Sequence, residues 1–228
     1  MTRHAVLMTL WIACAAVTAV VAAPDGIDLI EQVHTVQGSA GYPLTETYFV
    51  SGTGAVTGSA SGLGPDGLLC TATSAAGPGS LSAYRNGSAG WANAYAQSTY
   101  RFQPDRGHLV LDVSGVIGEW AFENLASLQL TDETAGAIVY SFESPHEPYI
   151  DLYPDAFAGY AFGFHHDLPV NPAHVYELVG AVEAHRGEPG SGSATMSLGF
   201  SAVPAPMPLA LGALGAACVA WLRRRRLL

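Results

Sequence analysis

The sequence predicts an all-β protein: a two-sheet antiparallel β-sandwich, jelly-roll-like, followed by a short C-terminal transmembrane helix. Three observations lead there. Through the middle of the chain apolar residues recur at every second position, the period of a strand with one buried face. Gly and Pro, 26 and 14 of 228 residues, cluster between those alternating runs, where turns are needed. Thr, Val, Tyr and Phe are common, lysine is absent and glutamate sparse, a composition that favours strands over long solvent-exposed helices.

Residues 1–23 come first and have a different character. Arg3 and His4 make a short polar start, and the apolar stretch that follows, 5–21, is interrupted only by Thr9 and Thr18. The small residues Ala22 and Ala23 complete the pattern of a secretory signal peptide, with cleavage after either of them acceptable. What remains, 24–202, is about 180 residues, enough for one domain with a substantial core.

Within that domain Leu109, Leu111 and Val113 fall on one face, with Asp112 and Ser114 on the other. Leu128 and Leu130 alternate with Ser127 and Gln129, and Ile138, Tyr140 and Phe142 follow the same rule. The polar stretch 131–136 joins these two as a hairpin. Tyr176, Leu178 and Val182 share a face opposite Glu177 and Glu183; Ala194, Met196, Leu198 and Phe200 alternate with Thr195, Ser197 and Ser201. The turn-rich 185–193 between them predicts a final hairpin. Earlier, Asn93, Tyr95 and Gln97 alternate with Ala92, Ala94, Ala96 and Ser98, and the small-residue face would let a second sheet approach closely. The Gly-, Ser- and Ala-rich 51–64 reads either as a weakly packing strand pair or as a loop. Eight to ten strands result, a sandwich pattern.

Charge and cysteine narrow the partners. All 19 acidic residues lie in 24–202 but only four of the nine basic ones do, an excess of 15 negative charges. Such a surface repels nucleic acid and anionic lipid. Cys14 and Cys218 belong to the two ends, so Cys70 is the only cysteine of the domain; it cannot form an internal disulfide and is expected to be a small buried residue.

The tail, 203–228, opens with Val203, Pro204, Ala205 and Pro206, continues through an apolar run, and closes with Arg223, Arg224, Arg225 and Arg226 before two leucines. Prolines 204, 206 and 208 remove backbone donors and end the preceding fold. The uncharged run 207–222 would make a helix of about 24 Å at ~1.5 Å per residue, short against a hydrocarbon core of about 30 Å. The arginines would hold its end on the cytoplasmic side, with all that precedes it outside. This order of proline motif, small-residue helix and arginine cluster resembles the PEP-CTERM sorting signal of Gram-negative bacteria, with Ala205 where the family's Val-Pro-Glu-Pro motif has Glu. The resemblance implies an exosortase-type membrane enzyme as partner, export to the cell surface or beyond, and an association with exopolysaccharide and biofilm. A plain single-pass anchor is the other reading.

His165, His166 and His174 lie close in sequence, but neighbours on a strand point to opposite faces, so a converging metal site is not expected. His34, His108, His146 and His185 are dispersed beside turns, where surface roles are expected. The sequence contains no Gly-x-Ser-x-Gly elbow, P-loop or dinucleotide fingerprint. No cofactor is expected. Between 149 and 164 aromatic residues alternate with Asp151 and Asp155, and Tyr149, Tyr153 and Tyr160 are candidate glycan contacts; the competing reading packs these rings into the core. The resulting expectation is a non-catalytic exported surface or matrix protein, against the alternative of a glycan- or ester-hydrolysing enzyme on the same scaffold.

Overall fold

A computed structural model describes residues 24–87, 92–118, 124–144, 159–185 and 190–203, apart from the side chain of Tyr160. These residues form twelve strands: β1 (Ile27–Ala40), β2 (Glu46–Gly52), β3 (Val56–Leu63), β4 (Leu69–Gly77), β5 (Ser80–Gly87), β6 (Ala92–Pro104), β7 (His108–Ile117), β8 (Asn124–Asp132), β9 (Ala137–Glu143), β10 (Tyr160–Pro169), β11 (Tyr176–Ala184) and β12 (Gly190–Val203). They make two six-stranded antiparallel sheets, β2-β1-β6-β11-β8-β9 (sheet A) and β10-β7-β12-β5-β4-β3 (sheet B). The predicted all-β sandwich is therefore present. The tail, with Pro204, Ala205, Pro206 and the four arginines, lies outside the described residues, as does 1–23.

Most of the strands read from alternation show it in their burial. In β11 every second residue from Tyr176 to Ala184 is buried, and in β6 the buried set is Ala92, Ala94, Ala96, Ser98, Tyr100, Phe102 and Pro104. The alanine face of β6 does turn inward. The core is thus lined by small residues toward one end and by rings toward the other, where Phe200 packs on Tyr100 at 5.0 Å and on Phe102 at 5.3 Å. Cys70 is buried, as expected.

The predicted final hairpin is wrong, although both of its strands are right. β11 pairs with β6 and β8 in sheet A, whereas β12 pairs with β5 and β7 in sheet B. The two strands face each other across the core: a Cβ on Gly180 of β11 would lie 2.8 Å from Met196 Cε. Period-two alternation tells which face is buried, and is the same whether the next strand lies beside or opposite. By contrast 131–136 does join the antiparallel pair β8 and β9. Even there Ile138 is 62% exposed, because the register shifts between Leu130 and Thr131 and a bulge puts it on the opposite face from Tyr140 and Phe142. The stretch 51–64 resolves into the end of β2 and all of β3, in different sheets.

The entry and exit of the domain meet at one pole. Ala202 N–H donates to Asp25 O at 2.9 Å, and Asp105 N–H donates to Gly26 O at 2.9 Å. Gly26 has φ +70°, and a Cβ there would be 2.7 Å from Ala202 O, so only glycine fits this crossing. Val203, assigned to the tail, is the last residue of β12 and pairs with His108.

Candidate functional site

Among the described residues, the outer face of sheet A carries a surface whose residue types point to recognition. Its geometry follows from register. Phe49 lies opposite Gln37, Gln37 opposite Tyr95, Tyr95 opposite Glu183, and Glu183 opposite Leu125. Directly paired residues project to the same side, so these five form a row across β2, β1, β6, β11 and β8. Strands are about 4.8 Å apart, which places Phe49 and Tyr95 about 10 Å from each other, the length of a disaccharide. The next row runs Ser51, Thr35, Gln97, Ala181, Ser127 and Glu143.

Tyr95 is the centre of this face. A hollow of about 430 Å³ on one side of it is lined by Gln37, Thr47 and Asn93, and one of about 230 Å³ on the other by Leu125, Ser127 and Glu143. Tyr95 and Glu183 line both. The phenol donates to Gln97 Oε1, and Gln97 Nε2 donates in turn to Thr99 Oγ1 at 3.0 Å. Burial, and after it the charge of Glu183, push the phenol above its ordinary pKa, so it remains a neutral donor. Asn93 Oδ1 accepts from the Ser39 N–H and hydroxyl, both at 3.1 Å. Below this row lie Ala94, Ala96, Ala126 and Val182, small buried residues that place the second sheet close beneath it.

Phe49 is 68% exposed, yet the strand that presents it is held firmly. Its neighbour Tyr48 turns the other way, between the sheets, and its hydroxyl bonds Ser74 Oγ of sheet B at 2.8 Å. The ring occupies the space over two glycines: a Cβ on Gly38 would be 2.5 Å from Tyr48 Oη, and one on Gly58 would be 2.1 Å from Tyr48 Cδ2. Edge strand β2 is thereby tied to the opposite sheet.

The sequence-predicted contacts fare differently. Tyr149 and Tyr153 lie outside the described residues, and Tyr160 is described only as the first backbone position of β10. Of the same aromatic stretch, Phe162 is buried and Phe164 packs on Phe142 at 4.9 Å, so these two rings serve the core. The histidines do not converge. His165 Nδ1 is 2.5 Å from Asp112, His174 Nδ1 is 2.7 Å from Asp132, and the His166 ring sits 4.8 Å from that of Tyr140. Among the described residues no group of three metal-ligating side chains comes together. His34, expected at the surface, is instead fully buried: Nδ1 meets Ser98 Oγ at 2.6 Å and Nε2 meets Gln32 Nε2 at 2.6 Å. Burial lowers its pKa, so the neutral imidazole fits the core.

The sequence reading missed Phe49, Gln37, Tyr95 and Glu183. The signal for Tyr95 lies in the alternation of β6, whose outward positions Asn93, Tyr95 and Gln97 mirror its alanine face. Phe49 and Glu183 become neighbours of that column only through pairing.

No family model and no curated protein matches the chain. Among solved structures it is similar to the enzymatically active domain of tailspike protein 4 of bacteriophage CBA120, at 13% identity and a TM-score of 0.32, over 66% of this chain and 20% of that one. It therefore spans about a fifth of the tailspike chain. It is also similar to a family 11 carbohydrate-binding module from Clostridium thermocellum in complex with a β-1,3-1,4-mixed-linked tetrasaccharide, at 9% identity and a TM-score of 0.23, over 79% and 99% of the two chains. The candidate site stands on its own geometry.

Proposed function

We propose that this is a non-catalytic, exported polysaccharide-binding protein of the cell surface or extracellular matrix, delivered by its PEP-CTERM-like tail with an exosortase-type enzyme as partner. The observation that carries the reading is the row Phe49–Gln37–Tyr95–Glu183: two rings a disaccharide apart, with amide and carboxylate groups between and beside them. Sugar rings bind such surfaces by stacking their C–H faces on aromatics while amides and carboxylates take the hydroxyls. The domain's placement supports it. The chain leaves at Val203, at the pole of β6 marked by Pro104, nine residues or about 30 Å along that strand from Tyr95. A tail held at a membrane would leave the Tyr95 row at the far end.

Binding is favoured over hydrolysis by where the reactive groups sit. The Ser98–His34 hydrogen bond, the pairing a serine hydrolase uses, is sealed in the core, and the other paired histidines engage separate carboxylates.

The test is titration of the full chain, purified in mild detergent, against the host's own exopolysaccharide, with generic glycosidase and esterase substrates assayed alongside. Saturable binding that Tyr95→Ala weakens is expected. Turnover of either substrate would overturn the non-catalytic reading. Intact-mass measurement of the mature protein addresses delivery: a chain ending near Pro204 supports sorting, and one retaining Arg223 to Arg226 supports a plain anchor.

A further inference from the structure

Resting on that glycan-binding reading, we propose that the face selects a polysaccharide bearing free amines, a deacetylated hexosamine polymer, over neutral and acidic glycans. The first observation is the state of two carboxylates. Glu143 and Glu183 both line the smaller hollow beside Tyr95, and neither has a hydrogen-bond or ionic partner among the described residues. Several other acids of the sandwich are engaged. Glu46 accepts the Ser61 N–H at 2.6 Å, Glu133 accepts from Arg101 at 2.7 Å, and Asp132 holds His174.

Their spacing suits two amines on one chain. Glu183 stands on β11 opposite Leu125, and Glu143 on β9 opposite Ser127, so the two are separated by two strand spacings and two residues along the strands. That places their Cα atoms about 12 Å apart with the Tyr95 ring beside them. An ammonium on a sugar stacked at Tyr95 would meet a carboxylate at its edge and an aromatic face below, both attractive to a cation.

The distribution of positive charge gives the other half of the selectivity. Arg101 lies on the same face, six residues and about 20 Å along β6 from Tyr95, and is already bound by Glu133. Arg85 is buried and Arg106 sits at the pole of the chain ends, while the whole chain has no lysine. An acidic glycan would meet Glu143 and Glu183 with no described cation to offset them.

The experiment compares three oligosaccharides of equal length with the full chain in detergent: oligoglucosamine, its N-acetylated counterpart, and an oligouronate. Oligoglucosamine is expected to bind tightest, with affinity that falls as salt rises. Glu183→Gln and Glu143→Gln should each weaken it roughly two- to fivefold, the range for one exposed ion pair, and weaken the N-acetylated ligand by less. Asp28→Asn removes the same charge from an exposed position near the far end of β1 and should change nothing. Equal loss in Asp28→Asn would mean attraction to bulk charge, and the inference falls. Equal affinity for amine and N-acetyl ligands, unaltered by Glu183→Gln, also overturns it but leaves glycan binding standing. Failure of all three ligands to bind, together with no response to the host polysaccharide, removes both.

Discussion

The two outer faces of the sandwich rest on the same alternating strands but carry different side chains. On sheet B short hydroxyls dominate. Ser82, Thr195 and Ser114 face solvent, and Tyr84, 42% exposed, stands between Thr73 and Ser193. Its longer groups are tied to one another, His165 to Asp112 and His108 to Asp167 at 2.7 Å. On sheet A the outward face includes Phe49, Gln37, Tyr95, Gln97 and Glu183, flat or long groups with polar ends, among its short hydroxyls. A serine–threonine surface is well satisfied by water, and here it leaves a ligand only scattered apolar groups such as Tyr84 and Val116 to cover. A row of rings and amides offers both area and direction, which is what separates a recognition surface from a merely soluble one.

The sharpest way to break this contrast is to disturb how Phe49 is presented. Gly58→Ala puts a methyl 2.1 Å from Tyr48 Cδ2 and should destabilise the fold by about 1–3 kcal/mol, as overpacking does. Adding Tyr48→Ala should restore part of the midpoint of denaturant unfolding lost by Gly58→Ala, if that ring is the obstacle. Next in size come the rings themselves. Phe49→Ala and Tyr95→Ala should each cost about 1 kcal/mol of glycan affinity by calorimetry, while Tyr84→Ala on sheet B should cost nothing measurable. Equal losses at Tyr84 and Tyr95 would erase the distinction between the faces.

Histidine tests the same comparison through pH. His34, buried under sheet A, has its pKa lowered from 6.5 by burial. As pH drops below about 6.5 the unfolded chain takes a proton there that the folded one does not, so stability present above that pH is lost on acidification. Thermal melts between pH 7 and 5 should show this fall, and His34→Gln should flatten it. The exposed pair on sheet B defines the small end of the scale. With both His165 and Asp112 65% exposed, His165→Ala should change stability by no more than about 0.5 kcal/mol at any pH from 5 to 8. A larger loss would mean that sheet B's face is more tightly organised than its hydroxyls suggest.

Most strands of the core were legible in the sequence because burial of one sheet face forces alternation, and alternation survives in a string of letters. β6, β7, β8, β11 and β12 were each readable in this way, and so was the buried character of Cys70. β1 was not. Its inner face includes His34, and a register shift between Leu29 and Glu31 breaks its period. The β4–β5 hairpin escaped because its inward positions are largely small or polar, among them Ala72, Ser74, Ala83 and the fully buried Arg85.

Taken by itself, then, the sequence determined the fold class, the inward face of most core strands and the acidic balance of the domain, all properties local to a strand or summed over the chain. Tertiary structure alone decided that β11 and β12 lie in opposite sheets, that His34 is internal, and that Phe49, Tyr95 and Glu183 share a row. The physical reason is the same in all three cases. A period of two reports which side of a strand is wet or dry, but which strand lies beside it depends on pairing between distant segments, as Tyr95 and Glu183 are at 88 residues apart, and no local pattern encodes that register.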